Sequence, residues 1–384
     1  MTKTTLGMAY RRYKPPFPFG IGRRDRLSHI LLIGQTGTGK STLMHNMAIQ
    51  DAWQRHGFCL IDPHGTLAEG LHHTLPASHL YWNIADPECP YGFNPLRRVS
   101  ATYRPLVASG LLEALKKQWP DAWGVRMEHL LRYAILALLE QEQADLRDIM
   151  KLFTFKGFRR QISQSLSDPQ VRQFWQHEYP AMNYQSSADG VQSVANKLGA
   201  FLAHPNVRAA LCEPKEPLRF RSLMDTGQML IVNLAKGQLG ADVANIMGGL
   251  ITANVMLAAF TRHGLPELAR RTFFLYADEY PSFTTQSFTN LLSESRKYGL
   301  GVVLANQHLS QADTEVREAV LGNVGTMVVF RVGAMDAPLF EKLLPPFTAT
   351  DLKNQPNRRA VLRVMHQGEP LRAFSLSTYP PLLA

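Results

Sequence analysis

Hydrophobic positions fall into two regimes along the chain. Short, nearly continuous apolar runs occur at His29–Ile33, Phe58–Ile61, Met229–Asn233, Thr272–Tyr276, Gly301–Ala305 and Gly325–Phe330. Such runs, bounded by turn residues, predict strands buried on both faces of a parallel sheet. Helical patterns follow several of them, at Lys40–Trp53, over 241–260 and near 286–298. From Pro95 to Pro205 apolar residues recur at helical spacing instead, in Leu111–Lys117, Met127–Gln141, Leu146–Phe153, Phe158–Leu166, Val171–His177 and Val191–Leu202. That stretch predicts an all-α domain inserted into an α/β chain. Alternation in Ala360–Val364 and Leu371–Leu376 predicts a C-terminal β-hairpin. The boundaries expected are an extended basic leader over 1–22, α/β core over 23–95, all-α insert over 96–205, α/β core again over 206–347, and the hairpin tail over 348–384.

Length and charge narrow the class. The 384 residues, 45% hydrophobic and 19% charged, suit a folded protein of about two domains. Cys59, Cys89 and Cys212 form no C-x-x-C pair, which argues against a zinc module or disulfide framework. No signal peptide is visible. The apolar stretch Ile246–Phe260 is 15 residues and contains Asn254, short of the roughly 20 a membrane span needs. The expectation is a chain without a transmembrane segment, cytoplasmic or peripheral to the inner membrane. Of the formal charge of +10, residues 1–30 hold a net +6: Lys3, Arg11, Arg12, Lys14, Arg23, Arg24 and Arg26 against Asp25. A basic arm of this kind suits a polyanion or serves as a solvated tail, and charge alone does not choose between them.

The strongest chemical signal is Gly34-Gln-Thr-Gly-Thr-Gly39-Lys40-Ser41, a full G-x-x-x-x-G-K-[ST] match between a predicted strand and a predicted helix. Glycines let the backbone curl so that successive N–H groups face a phosphate, and the helix start adds its positive end. The expected phosphate-binding set is Gly34, Thr36, Gly37, Thr38, Gly39, Lys40, Ser41 and Thr42. Lys40 is expected on the β- and γ-phosphates of ATP, with Ser41 on Mg²⁺.

The partner element is Phe273–Ala277 followed by Asp278-Glu279. Asp278 is expected to hold Mg²⁺ with Ser41, and Glu279 to polarise the attacking water. Gln307, at the end of the strand predicted at Gly301–Ala305, is placed to sense the γ-phosphate. Asp62-Pro63-His64-Gly65 ends another strand and faces the same edge. Asp62 is assigned to the neighbourhood of the site, and His64 is read as a loop histidine in preference to a proton shuttle. Arg296 reads equally well as a phosphate-neutralising arginine or as an ordinary basic residue at a helix end.

Taken in order, Gly34–Ser41, Leu60–Gly65, Asp278-Glu279-Tyr280, Arg296–Leu300, Ala305-Asn306-Gln307 and Asn323–Thr326 resemble the HerA/FtsK superfamily of hexameric P-loop ATPases. Within it the likeness is to the conjugative coupling proteins of type IV secretion (TraD/TraG type), over roughly residues 20–345. The resemblance implies a RecA-like core that assembles as a ring, a hexamer, and threads DNA through its centre with ATP and Mg²⁺. It implies Lys40, Glu279 and Gln307 as catalytic groups and Arg296 as a finger inserted into the neighbouring subunit's site. Lys236, Lys156 and Arg159-Arg160 are the candidate pore contacts. A relaxase, a nuclease or a secretion-channel subunit is the implied partner. Two other readings stay open at this level: an ATPase acting on protein substrates, and a nucleotide-gated scaffold for a partner nuclease.

Overall fold

A computed structural model describes residues 3–11, 14–182 and 184–382. The chain forms two compact units. One comprises Met1–Asn83, Phe220–Gly237 and Ala258–Ala384; the other comprises Ile84–Arg219 and Gln238–Leu257.

The first unit is built on an 11-stranded sheet. In chain order its strands are β1 (Lys3–Arg11), β2 (Lys14–Gly22), β3 (Ile30–Ile33), β4 (Gly57–Asp62), β5 (Leu80–Asn83), β6 (Met229–Asn233), β7 (Phe273–Ala277), β8 (Leu300–Asn306), β9 (Thr326–Val329), β10 (Arg359–Arg363) and β11 (Phe374–Thr378). They lie in the order β2-β1-β11-β10-β9-β3-β8-β7-β4-β6-β5. From β9 to β5 every pairing is parallel. From β2 to β9 every pairing is antiparallel. Strands β3, β4, β7 and β8 are buried along their whole length, which is why their sequences are apolar without alternation.

The predicted extended leader is instead the hairpin β1–β2, whose strand β1 pairs with β11. Pro15, Pro16 and Pro18 speak against a strand, but β2 is the outermost strand, where a missing N–H on the outward side costs no ladder bond, and Pro15-Pro16 lie where the register with β1 shifts. The C-terminal hairpin forms as β10–β11, capped by a small ladder between Met365–His366 and Glu369–Pro370, and it joins the main sheet.

The second unit is helical, with Arg104–Gln118, Val125–Leu138, Arg147–Thr154, Lys156–Ser165, Tyr184–Ala203 and Pro205–Leu211 as its longer helices. It begins before and ends after the predicted insert, because Tyr91–Gly92 and Glu216–Pro217 pair and draw the flanking chain in. Its core includes Phe174 stacked on Tyr133 at 4.0 Å and Trp175, whose indole N–H donates to the Tyr133 carbonyl. The apolar helix Ala241–Phe260 is 20 residues long and spans the positions its sequence pattern predicts. By length and composition it would suffice to cross a membrane, and 67% of its most apolar window is buried.

Arg26, counted above as part of a basic arm, is fully buried. Arg12 lies outside the described residues. The Arg26 guanidinium donates to both Asp51 carboxylate oxygens (2.5 and 2.8 Å), to Thr4 Oγ1 (2.7 Å) and to the Tyr276 hydroxyl (2.8 Å). It lies 3.7 Å over the Phe274 ring. Asp51 belongs to helix α1 (Lys40–Trp53), so one side chain ties β1, β7 and α1 together. Burial opposes the ionised Asp51, but Arg26 and the hydrogen bonds from His56 and Tyr276 outweigh it and hold the carboxyl below its usual range.

Replacing Asp51 with Asn leaves a buried guanidinium without its counter-charge, a loss of about 3–5 kcal/mol read by thermal or urea denaturation. The folded carboxyl lies below its unfolded value of about 4, so its contribution is present above that pH and is lost as the pH falls through the lowered folded value. The wild type should therefore lose stability in acid more steeply than Asp51→Asn.

Candidate nucleotide site

Parallel pairing delivers the ends of four strands to one edge. β3 ends at Ile33 and runs into Gly34–Gly39; β4 ends at Asp62; β7 is followed by Asp278-Glu279; β8 ends at Asn306 and is followed by Gln307. The edge is stitched by backbone bonds from Gly34 N to the Asn306 carbonyl (3.3 Å) and from Asp278 N to the Ile61 carbonyl (3.1 Å).

The loop enters α1 at Lys40 through Gly39, whose φ of 117° a side chain would strain. Gly34 is required for space: a Cβ there would lie 2.6 Å from Phe330 Cβ. Thr38 Oγ1 donates to the Gln35 carbonyl (2.7 Å) and holds the loop closed on itself. Lys40 is buried, and its ammonium donates to the Gly34 (2.5 Å) and Gln35 (3.0 Å) carbonyls. Desolvation lowers its pKa, against the opposing charges of Asp278 and Glu279.

Ser41 Oγ faces Asp278 Oδ2 at 3.4 Å. Desolvation, and next the charge of Asp62, push the Asp278 carboxyl up to about 6. Asp62 itself accepts the backbone N–H groups of His64 and Ala68, both at 2.9 Å, which fixes the start of helix α2 (Thr66–Thr74). Glu279 has left-handed backbone, φ 46° and ψ 42°, a conformation costly for a residue with a Cβ. Its Oε1 accepts from Gln307 Nε2 (2.9 Å), and its Oε2 lies 3.0 Å from His64 Nε2. Gln307 Oε1 in turn accepts from Thr36 Oγ1 (2.9 Å). A continuous polar chain, Thr36–Gln307–Glu279–His64, thus runs from the glycine-rich loop across to the end of β4.

These elements surround one open cleft of about 1020 Å³. Thr36, Gly37, Gly39, Lys40, Ser41, Thr42, Asp278, Glu279 and Gln307 contribute to it. Gly34 and Thr38 shape the loop without lining the cleft. Arg296 does not join it. It is exposed in the turn Ser295–Tyr298 that precedes β8, at the strand end opposite Gln307. There its charge, after desolvation by burial, helps to hold His29 neutral, with a pKa of about 4.

The sequence reading missed His64 as a partner of Glu279 and missed Asn357, Arg358 and Pro381, which also line the cleft. His64 carried a local signal in its strand-end turn. The other three carried none, because only the antiparallel return of β10 and β11 brings them near the loop.

Residues 17–338 match the family described as the type IV secretion-system coupling protein DNA-binding domain. No curated protein matches the sequence. Among solved structures, the unbound monoclinic form of the bacterial conjugative coupling protein TrwBdeltaN70 is similar with a TM-score of 0.69 and 17% identity, over 96% of this chain and 87% of that one. The plasmid coupling protein TrwB in complex with ADP and Mg²⁺ is similar with a TM-score of 0.68 and 17% identity, over 100% and 96%. VirB4 of Thermoanaerobacter pseudethanolicus shares the fold with a TM-score of 0.62 and 13% identity, over 98% and 96%. A RecA-like P-loop fold is common to these likenesses, and the match over 17–338 goes further than fold: this chain belongs to the type IV secretion-system coupling protein DNA-binding domain family.

Proposed function

We propose that the chain is an ATP-driven DNA translocase that works as a ring, with ATP cleaved in clefts that adjoining protomers complete. The observation that carries this reading is the meeting of Lys40, Ser41, Asp278, Glu279 and Gln307 in one cleft of a coupling-protein-family chain. The likeness in fold to TrwB, whose structure with ADP and Mg²⁺ is known, supports ATP and Mg²⁺ as the ligands.

The loop's N–H groups and Lys40 bind the phosphates. Ser41 and Asp278 are the groups that would hold Mg²⁺. The fit is chemical: burial first and the charge of Asp62 at the end of the neighbouring strand next raise Asp278, and a dication offsets the cost of ionising both carboxyls there. When bound, Mg²⁺ neutralises charge on the phosphate oxygens. Glu279 accepts a proton from water as the water oxygen attacks the γ-phosphorus and the bond to the β–γ bridging oxygen breaks, releasing ADP and phosphate. Gln307 aligns that water and orients Glu279 through their mutual hydrogen bond.

Arg296 stands at the far edge of the sheet from its own cleft, so its proposed role is in a neighbour's cleft. Lys156 and Arg160 are exposed and Lys236 is half-buried, free to meet DNA phosphates in the proposed pore. Arg159 is less suited to that role: it donates to the Leu152 and Phe153 carbonyls and stacks on Tyr179. A hexamer at the cytoplasmic side of the inner membrane, working with a relaxase, nuclease or secretion-channel subunit, completes the proposal.

Lys40→Ala should abolish ATP binding, whereas Glu279→Gln should bind ATP and lose turnover by about a hundredfold or more. Equilibrium binding and phosphate-release assays separate the two. Arg296→Ala alone should bind ATP without turning it over. Mixed with Lys40→Ala it should regain part of the activity, since each variant supplies what its neighbour lacks; near-full turnover by Arg296→Ala on its own would remove the finger assignment. DNA should stimulate ATP hydrolysis, and that stimulation should fall steeply with salt. Stimulation by a protein partner but not by single- or double-stranded DNA would move the substrate from DNA to protein.

A further inference from the structure

Arg358 stands apart among the residues that line the cleft. It comes from the loop before β10, more than 300 positions from the P-loop, yet its backbone is fastened to that loop. Its N–H donates to the Thr38 carbonyl (2.8 Å), and its own carbonyl accepts from Thr378 N (2.8 Å) and Thr378 Oγ1 (3.3 Å). Its Cα and Cγ lie 3.4 and 3.6 Å from the point where Gly39 would carry a Cβ. The side-chain stem therefore runs directly over the last glycine of the phosphate-binding loop. Held from both sides, Arg358 keeps a φ of 63°, the left-handed region that an arginine enters only under constraint. The residue is exposed, and no hydrogen bond or ion pair of its guanidinium occurs among the described residues.

The chain beyond it is pinned to the same helix. Asn46 of α1 donates to the Pro380 carbonyl (2.8 Å) and accepts from Leu382 N (2.8 Å), which sets Pro381 in the wall of the cleft. The loop at Asn357–Arg358 and this terminal segment thus form a strap across the mouth of the cleft, anchored at Thr38 and at Asn46.

We propose that Arg358 binds the polyphosphate of the nucleotide in cis, as a second cation beside Lys40, and that the strap holds it there. The proposal rests on the nucleotide-site reading above. A guanidinium with no protein counter-charge, carried on strained backbone over a phosphate-binding loop, matches what a multiply charged anion in that loop requires: donors in a fixed fork, supplied from the open side. Because Arg358 belongs to the same protomer as the loop it covers, it acts whether or not a ring has assembled, unlike Arg296.

The test is equilibrium binding of a fluorescent ATP analogue, and of the matching ADP and AMP analogues, to the wild-type chain, Arg358→Gly, Arg358→Lys and Lys40→Ala. Glycine accepts a positive φ without strain, so Arg358→Gly removes the guanidinium while easing the backbone. Asparagine also tolerates that conformation, and Arg358→Asn gives the same reading if glycine loosens the strap. The expected result is a loss of ATP affinity of about tenfold or more in Arg358→Gly and Arg358→Asn, partial recovery in Arg358→Lys, and an unchanged or higher Tm in Arg358→Gly. The loss should be larger for ATP than for AMP. Wild-type affinity in Arg358→Gly beside lost affinity in Lys40→Ala overturns the proposal and leaves the nucleotide site standing. An equal loss for all three nucleotides overturns it as well, since the strap would then act on the nucleoside or on the fold. No nucleotide binding by the wild type overturns both readings.

Discussion

Parallel pairing is the constraint on which the site depends. Strands β3, β4, β7 and β8 run the same way, so each one's carboxyl end reaches the same edge, and each end delivers part of the chemistry. The loop Gly34–Gly39 follows β3, Asp62 ends β4, Asp278-Glu279 follows β7 and Gln307 follows β8. Register makes this more than proximity. Asn306 pairs with Ile33, and Leu304 with Ala277, so the glycine loop, the acids and the amide leave the sheet at nearly one level. A slip of one residue in β8 would turn Gln307 away from Glu279. The antiparallel half of the sheet serves a second purpose: it returns the chain through β10 and β11 to close over the loop that β3 began.

The helix that follows the loop is held at its far end by Arg26 and Asp51. That pair is worth little if counted as net stabilisation, because burying two charges costs nearly what their attraction returns. Its effect is on geometry. With Thr4, Tyr276 and Phe274 as further partners, both terminal nitrogens of the guanidinium are engaged in this one position, and α1, β1 and β7 are set relative to each other by it. The P-loop lies at one end of α1 and Asp51 near the other, so the orientation of the phosphate cradle against the acids of β7 is fixed by a contact outside the cleft. Counting charges along the chain hid this, since Arg26 reads as one more base in a basic arm.

Legibility in the sequence followed burial and distance. The central strands were readable because both faces are covered and the residues are apolar throughout. The motifs were readable because each lies within a few residues of a strand end. What escaped was of two kinds. Edge elements have weaker patterns: β2 carries three prolines that only an outermost strand tolerates, and β5 is four residues with one buried side chain. Long-range contacts leave no local trace. His64 meets Glu279 across 215 positions, and Arg358 meets Gly39 across more than 300. Arg296 shows the converse, since a recognisable local motif places its side chain at the strand end away from the cleft of its own chain.

Glu279 and Arg358 share a physical signature that bears on how the site is built. Both are non-glycine residues with positive φ, and both line the cleft. Such backbone costs on the order of 1–3 kcal/mol per residue and persists only where neighbours over-determine it. For Glu279 those neighbours are its own N–H on Asp278 Oδ1 and the turn Tyr280–Ser282, with the side chain held between Gln307 and His64. For Arg358 they are Thr38 and Thr378. A glycine at either position would relieve the strain and lose the functional group. The strain is thus the cost of carrying a carboxylate and a guanidinium at points of sharp backbone reversal, where a polar side chain can face the phosphate loop with little backbone in the way.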